Sequence, residues 1–269
     1  MIRGFLSWCR RRAAPWLLAL CFSAPRLALA QEAGVPDEIR NDSDPTKPIL
    51  FSLREEYYNL LGDAWRNAII LRADRVIFRN LDFPGRGKGL ILRGDLPVAA
   101  AGLGGTERWG LGDLYAQAIV VPRLGKQFTI AYGTGFVLPT ATDQTLGQGK
   151  WQLAPVAAPV WFFEKRKGLA FVKFQDYFSF AGDGKRPDVN YLLITPTALY
   201  RVTKTWFLLA DSESKTDWKN GGQTSFKSGL EIGKMLSPRF GLWIKSEVPW
   251  GPHRQGDFTI KLTAFWTRF

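Results

Sequence analysis

The chain has a single histidine, His253, and therefore a single imidazole that could act as a base. A serine or threonine nucleophile needs such a base positioned beside it, so any hydrolytic or acyl-transfer chemistry would have to be built around this residue. His253 lies in Trp250-Gly251-Pro252-His253-Arg254-Gln255-Gly256, a turn-forming stretch that reads as an exposed loop. A solvated loop residue is the simpler reading, and a lipid-modifying enzyme is the rival one. Metal chemistry has less to stand on: there is one histidine, both cysteines (Cys9 and Cys21) fall near the start of the chain, and no carboxylates cluster at ligand spacing. Asp211, Glu213 and Asp217 are interleaved with Lys215 and followed by Lys219, which suits a mixed-charge loop in water. Gly102-Leu103-Gly104-Gly105 has no lysine or helix after it and is no phosphate cradle. No metal or cofactor is expected.

The polar residues that remain recur every second position among apolar ones. Read as one face of successive strands, they are Arg93, Asp95, Asp113, Gln117, Gln127, Lys173, Gln175, Lys227, Glu231, Lys245, Glu247, Asp257 and Lys261. Opposite charges stand two apart at Arg93/Asp95 and Lys245/Glu247. Such ladders either brace a plugged interior or line a narrow solute path, and the pattern leaves both open.

Strands must carry these residues. From Ile49 onward, segments of about ten residues rich in Val, Ile, Thr, Tyr, Phe and Trp alternate with Gly, Pro, Asp, Asn and Lys clusters. Twelve candidates follow: 49–58, 67–79, 89–100, 112–122, 126–138, 150–163, 168–180, 189–200, 204–211, 223–235, 239–249 and 257–269, with ten or fourteen strands as fallbacks. Short turns at 123–126, 164–167, 201–204 and 236–239 alternate with longer loops at 101–111, 139–149, 181–188, 212–222 and 250–256. That alternation is the signature of an outer-membrane barrel. The connection 80–88 should be short and is long.

Within strands the period is two. Phe240, Leu242, Ile244, Ser246 and Val248 oppose Arg239, Trp243, Lys245 and Glu247. Phe226, Leu230 and Ile232 oppose Lys227, Glu231 and Met235. Charged residues inside strands are admissible if they face a wet lumen. In 168–180, Asp176 shares the face of Val172, Phe174 and Phe178, which asks for a bulge, a membrane-edge position or another register. Aromatics near strand ends (Trp151, Trp161 to Phe163, Phe178, Phe180, Tyr200, Trp206, Trp250) suit an interfacial girdle.

Charge and leader set the compartment. The formal charge is +12, with 36 Lys plus Arg against 24 Asp plus Glu. Five of those positives are arginines in the first 30 residues, where no acid occurs, which leaves +7 for the rest. A basic start, an apolar stretch from Trp16 to Phe22 and Ala28-Leu29-Ala30 read as a cleaved signal peptide, residues 1–30. Residues 31–48 read as a flexible periplasmic lead-in and 49–269 as the barrel. No stretch after Ala30 reaches the roughly 18 uninterrupted apolar residues of a helical span, so a membrane-crossing reading means a β-barrel. The surplus charge then points to anionic lipid headgroups or a mildly cationic lumen, and nucleic acid binding drops out.

The segment Gly133-Thr134-Gly135-Phe136-Val137-Leu138-Pro139-Thr140-Ala141-Thr142-Asp143, followed by Leu146-Gly147-Gln148-Gly149-Lys150-Trp151-Gln152-Leu153-Ala154-Pro155, resembles the hallmark of a bacterial outer-membrane family, the MetA-pathway of phenol degradation family. Gly110-Leu111-Gly112-Asp113-Leu114 resembles the same family's Gly-Asp strand opening. The resemblance implies an outer-membrane transporter barrel that takes up aromatic or other small organic compounds, and brings no catalytic residues with it. Read physically, Pro139 ends a strand and Gly147 and Gly149 permit a tight return before Lys150 and Trp151 enter the next, so Gly135, Pro139, Thr140 and Asp143 belong to a structured extracellular loop. Loop geometry without a ligand role is the simpler reading of it. Phe269, closing an amphipathic last strand, resembles the signal read by the outer-membrane assembly machinery. The expectation is an all-β transmembrane barrel in the bacterial outer membrane, surrounded by lipid and lipopolysaccharide and passing small organic, aromatic or anionic solutes. A lipid-modifying enzyme and a non-conducting structural barrel are the alternatives.

Overall fold

The computed structural model describes residues 44–46, 48–77, 89–103, 105–122 and 124–267. The expected signal peptide, the 80–88 connection and Phe269 lie outside these residues. Thirteen strand segments follow one another: β1 (Phe51–Leu60), β2 (Trp65–Ile77), β3 (Leu90–Leu103), β4 (Thr106–Leu111), β5 (Leu114–Val120), β6 (Phe128–Leu138), β7 (Lys150–Phe163), β8 (Gly168–Gly182), β9 (Asn190–Arg201), β10 (Trp206–Asp217), β11 (Gln223–Met235), β12 (Phe240–Trp250) and β13 (Gly256–Trp266). Each is antiparallel to its neighbours, and β1 pairs with both β2 and β13, so the sheet closes on itself. Both β4 and β5 pair with β3 and are separated only by Gly112 and Asp113; they form one interrupted stave of a twelve-strand barrel. Among the described residues there is no α-helix, only two single 3₁₀ turns at 164–166 and 218–220.

Alternation decides the faces. On β12 the even residues Leu242, Ile244 and Val248 point outward, Ile244 and Val248 about half exposed, while Trp243, Lys245 and Glu247 are buried inside. Stacked and tilted aromatic pairs stand outside at both ends of the staves. Phe163 with Tyr200, Phe128 with Trp161, and Phe240 with Trp266 mark the end carrying 164–167, 202–205 and 236–239; Phe226 with Trp250 marks the other. We call these the turn end and the loop end. Phe162, grouped by sequence with the girdle, instead points inward and is 7% exposed.

Two expected loops are shorter than they read. The stretch 101–111 is a tight hairpin that extends β3 and β4, and most of 212–222 is strand: β10 runs to Asp217 with Ser212, Ser214 and Thr216 on its outer face. Their hydroxyls are satisfied sideways, Ser212 on Ser228 at 3.1 Å and Thr216 on Thr224 at 3.0 Å, which lets a polar sequence stay in the ladder. Asp176 keeps the outward face of β8. The register shift in that strand lies above it, between the pairs Trp151/Ala181 and Gln152/Ser179, and its Oδ1 has no hydrogen-bond partner among the described residues.

The interior has two halves. Towards the turn end, fifteen buried apolar side chains pack together, among them Ile91, Val160, Phe162, Leu169, Phe207, Leu209, Trp243 and Phe265. Phe207 and Phe265 meet edge to face at 6.3 Å. The end of the expected lead-in is packed here too. Asp44 and Thr46 are buried, the Ile49 N–H donates to Asp74 Oδ2 at 3.1 Å, and Leu50 joins the ladder through Trp266 O.

Candidate functional site

Above the apolar half lies a cavity of about 470 Å³, roofed at the loop end by the segment 139–149. Its roof is built from the two sequence motifs interlocked. Asp113 Oδ1 accepts the Ala141 N–H at 3.2 Å and Oδ2 the Gln148 N–H at 2.6 Å, while the Thr140 hydroxyl accepts from Leu114 N (2.9 Å) and donates to Gly112 O (3.0 Å). Gly147 lies so near Asp113 that a Cβ would stand 2.5 Å from Oδ1, and Gly149 has φ +67°, so each position suits glycine. From the neighbouring loop, the Arg186 guanidinium donates to three carbonyls of the segment: Gln144 (2.8 Å), Gly147 (2.5 Å) and Gln148 (3.3 Å). Leu146, 1% exposed, drops inward onto Ala68, Ala99 and Ala101, small residues on the inner faces of β2 and β3.

Two carboxylates brace these loops from outside. Asp143 accepts the Thr145 N–H and hydroxyl, each at 2.8 Å, and these bonds, with Arg108 at 3.6 Å, hold its carboxyl below the ordinary aspartate range. Asp188 accepts from the ammonium of Lys150 at 3.0 Å and pairs with Lys219 at 3.6 Å, which lowers it likewise. Trp151 faces outward, Pro139 ends β6, and Gly135 faces the Tyr115 side chain.

The cavity has two unlike walls. The wall formed by β10 to β13 and β1 to β3 is a charge lattice. Arg72 holds Asp95 through two bonds (2.7 and 2.6 Å), Arg93 holds Asp74 likewise (2.9 and 2.7 Å), and Arg54 meets Glu56 at 2.7 Å. Glu247, with 2% of its side chain exposed, receives three ammonium groups: Lys261 at 2.9 Å, Lys245 at 3.0 Å and Lys227 at 3.4 Å. Lys245 also pairs with Asp211, Lys227 with Glu213 (3.3 Å), and Lys261 with Glu56 (3.7 Å). Apart from Lys173 on β8, the wall formed by β5 to β9 is neutral and largely apolar: Ile119, Ala131, Val137, Val156, Ala158 and Phe171, with Tyr115, Gln117, Gln175, Thr195 and Thr197. The Gln175 amide donates to the Tyr115 hydroxyl at 2.6 Å.

Of the residues read as facing inward, Arg93, Asp95, Asp113, Gln117, Lys173, Gln175, Lys227, Glu231, Lys245, Glu247 and Lys261 line this cavity. Gln127 and Asp257 do not. Gln127 is exposed in the turn before β6, and Asp257 is exposed at the start of β13, 3.3 Å from Arg254. Arg54, Glu56 and Arg72 line it without having been singled out in the sequence, and Asp211 and Glu213, read there as part of a mixed-charge loop in water, are strand residues that line it too. Arg54 and Glu56 were masked by Glu55, which breaks the alternation by pointing outward to Asn67. Asp211 and Glu213 were masked by Ser212 and Ser214, whose polarity imitates a loop. His253 sits exposed in the loop 251–255, and no described residue hydrogen-bonds to it.

Among the described residues, seven cationic and seven anionic side chains line the cavity, so these lining residues carry no surplus positive charge. A closed twelve-strand antiparallel barrel with an apolar belt, aromatic ends and a wet charged interior is the architecture of outer-membrane porins and channels. Solved structures of that class are similar to this chain. An outer membrane channel from Pseudomonas putida F1 matches with a TM-score of 0.67 at 13% identity over 86% of this chain and 100% of that one. The KdgM porin in complex with disordered oligogalacturonate matches at 0.56, with 8% identity over 81% and 99%, and the NanC porin at 0.55, with 9% identity over 81% and 100%. At such identities the likeness is one of fold. The chain matches no protein-family model and no curated protein.

Proposed function

We propose that this protein is a passive channel of the bacterial outer membrane for small organic solutes. The observation that carries the reading is the cavity of about 470 Å³ inside a closed barrel, polar where it meets the loop end and sealed by an apolar core toward the turn end. In this reading the loop end faces the outside, solute collects in the cavity, and the apolar core acts as a hydrophobic constriction that must part for passage. Cleavage of Met1–Ala30, insertion by the assembly machinery through a signal ending in Phe269, and a lipopolysaccharide surround complete it. The motif likeness to the MetA-pathway of phenol degradation family supports small organic compounds as cargo. Planar bilayers holding the purified barrel test it: we expect small, flickering conductance steps and flux of small organic solutes. Absence of both at saturating solute would refute the channel. It would favour the second reading, a non-conducting barrel, which the filled lower interior supports.

A further inference from the structure

Six of the seven cations lining the cavity lie on the lattice wall, each within ion-pair distance of a carboxylate. Lys173 is the exception. It projects from the middle of β8 on the neutral wall, between Phe171 and Gln175, with Thr195 beside it in register and Val156 and Ala158 presented by β7. Among the described residues, no carboxylate lies within 4 Å of its ammonium and nothing hydrogen-bonds to it. Glu213 stands two staves along the sheet in the same row, beyond Thr195, with its carboxylate more than 4 Å from the ammonium and paired with Lys227; Arg72, Lys227 and Lys245 also line the cavity. An ammonium held against aliphatic carbon without a counter-ion in contact is costly, and a bound carboxylate would relieve that cost through a charge-assisted hydrogen bond.

We propose that Lys173 is the specificity-determining residue of the channel, and that the cavity binds small organic monocarboxylates. The carboxylate meets the Lys173 ammonium while the apolar body lies against Ile119, Ala131, Ala158 and Phe171. The lattice wall, already neutralised internally, offers such an anion no second free cation, so one negative charge is matched and two are not. Polyanions are disfavoured by the carboxylates opposite. This rests on the channel reading but concerns binding, which is measured separately from flux.

Benzoate, and benzyl alcohol as its neutral counterpart, are the probes, titrated calorimetrically into the folded barrel in detergent. The wild type should bind benzoate at one site and at least tenfold more tightly than benzyl alcohol. Lys173→Met should lose at least tenfold in benzoate affinity with benzyl alcohol unchanged, and Lys173→Arg should retain benzoate binding. Equal affinity of the wild type for the two probes, or equal benzoate affinity in wild type and Lys173→Met, overturns the proposal; the first comparison holds even if no variant folds. Benzoate binding without solute flux in bilayers would sink the channel and leave the site. Flux of benzyl alcohol without benzoate binding would sink the site and leave the channel.

Discussion

Replacing Asp113 with alanine should loosen the roof of the cavity without unfolding the barrel. The Asp113 carboxylate accepts two backbone N–H groups, from Ala141 and Gln148, at the two ends of the segment that crosses the mouth. Hydrogen bonds to a charged acceptor contribute about 1.5–3 kcal/mol when dry. Gln148 is exposed, so water competes, and about 1 kcal/mol for each bond is the better figure. The roof keeps two further anchors, buried Leu146 and the Arg186 clamp, so it should open more often and not detach. A loss of about 2 kcal/mol multiplies the open population by about 30. Amide hydrogen exchange in proteoliposomes reads this directly: the Ala141 and Gln148 amides should lose about 30-fold in protection, while those of β6 and β7 hold. Asp113→Asn keeps one acceptor and should lose about 5-fold, the equivalent of one bond. Unchanged exchange at both amides in Asp113→Ala, or an equal rise throughout β6 and β7, would refute the anchoring role.

Other perturbations follow from the same geometry. Glu247→Gln removes the anion shared by three lysines; breaking a buried pair costs about 3–5 kcal/mol, so the heat-modifiability midpoint on gels should fall, and the reversal potential in a KCl gradient should move toward anion selectivity. Phe207→Ala, in the fully buried turn-end core, should cost about 3–5 kcal/mol and widen the constriction, raising single-channel conductance; a destabilised barrel of unchanged conductance would show that the core is no gate. Because Lys150 and Lys219 hold the Asp188 carboxyl below its ordinary range, its bridge is intact above the unfolded aspartate value and is lost as pH falls through the lower, folded one. Exchange in 183–189, corrected for intrinsic rate, should therefore rise only on acidification below the ordinary aspartate range, and Asp188→Asn should abolish that step.

Much of the barrel is legible because a membrane strand obeys two constraints at once, alternation and length. Strands 150–163 and 223–235 and the loop 139–149 fall where their residues place them, since Pro139, the glycine pair and the abrupt aromatic onset leave no alternative. Misreadings arise where composition imitates a loop. Thr106-Glu107-Arg108 is polar because the β3–β4 hairpin is exposed, and Ser212-Glu213-Ser214-Lys215 is polar on both faces because its outward serines pair across the ladder. Gln127 and Asp257 share the parity of the cavity-lining residues but stand exposed just before β6 and at the start of β13, where the cavity does not extend. Alternation shows ion pairs within one strand, such as Lys245 with Glu247, but not those between strands: Arg93 pairs with Asp74 and Asp95 with Arg72 instead of with each other. That Lys245 and Lys261 converge on Glu247 from neighbouring inward positions depends on register between β12 and β13, so the isolation of Lys173 is visible only in three dimensions.

The seam between β1 and β13 bears on how such a chain folds. Phe51 pairs with Trp266, and the same β13 carries Phe265 into contact with Phe207. Hydrogen-bond closure and completion of the turn-end core are thus one event, made by contacts between segments at opposite ends of the barrel sequence. High contact order of this kind makes folding slow and leaves an open sheet with two bare edges until the final pairing. Pro45 lines the cavity just before β1 begins, so the segment ahead of the first strand must already lie within the curve of the sheet when the seam shuts, or thread in afterwards. The order of these two steps, filling and closing, is a kinetic choice written into the first and last strands.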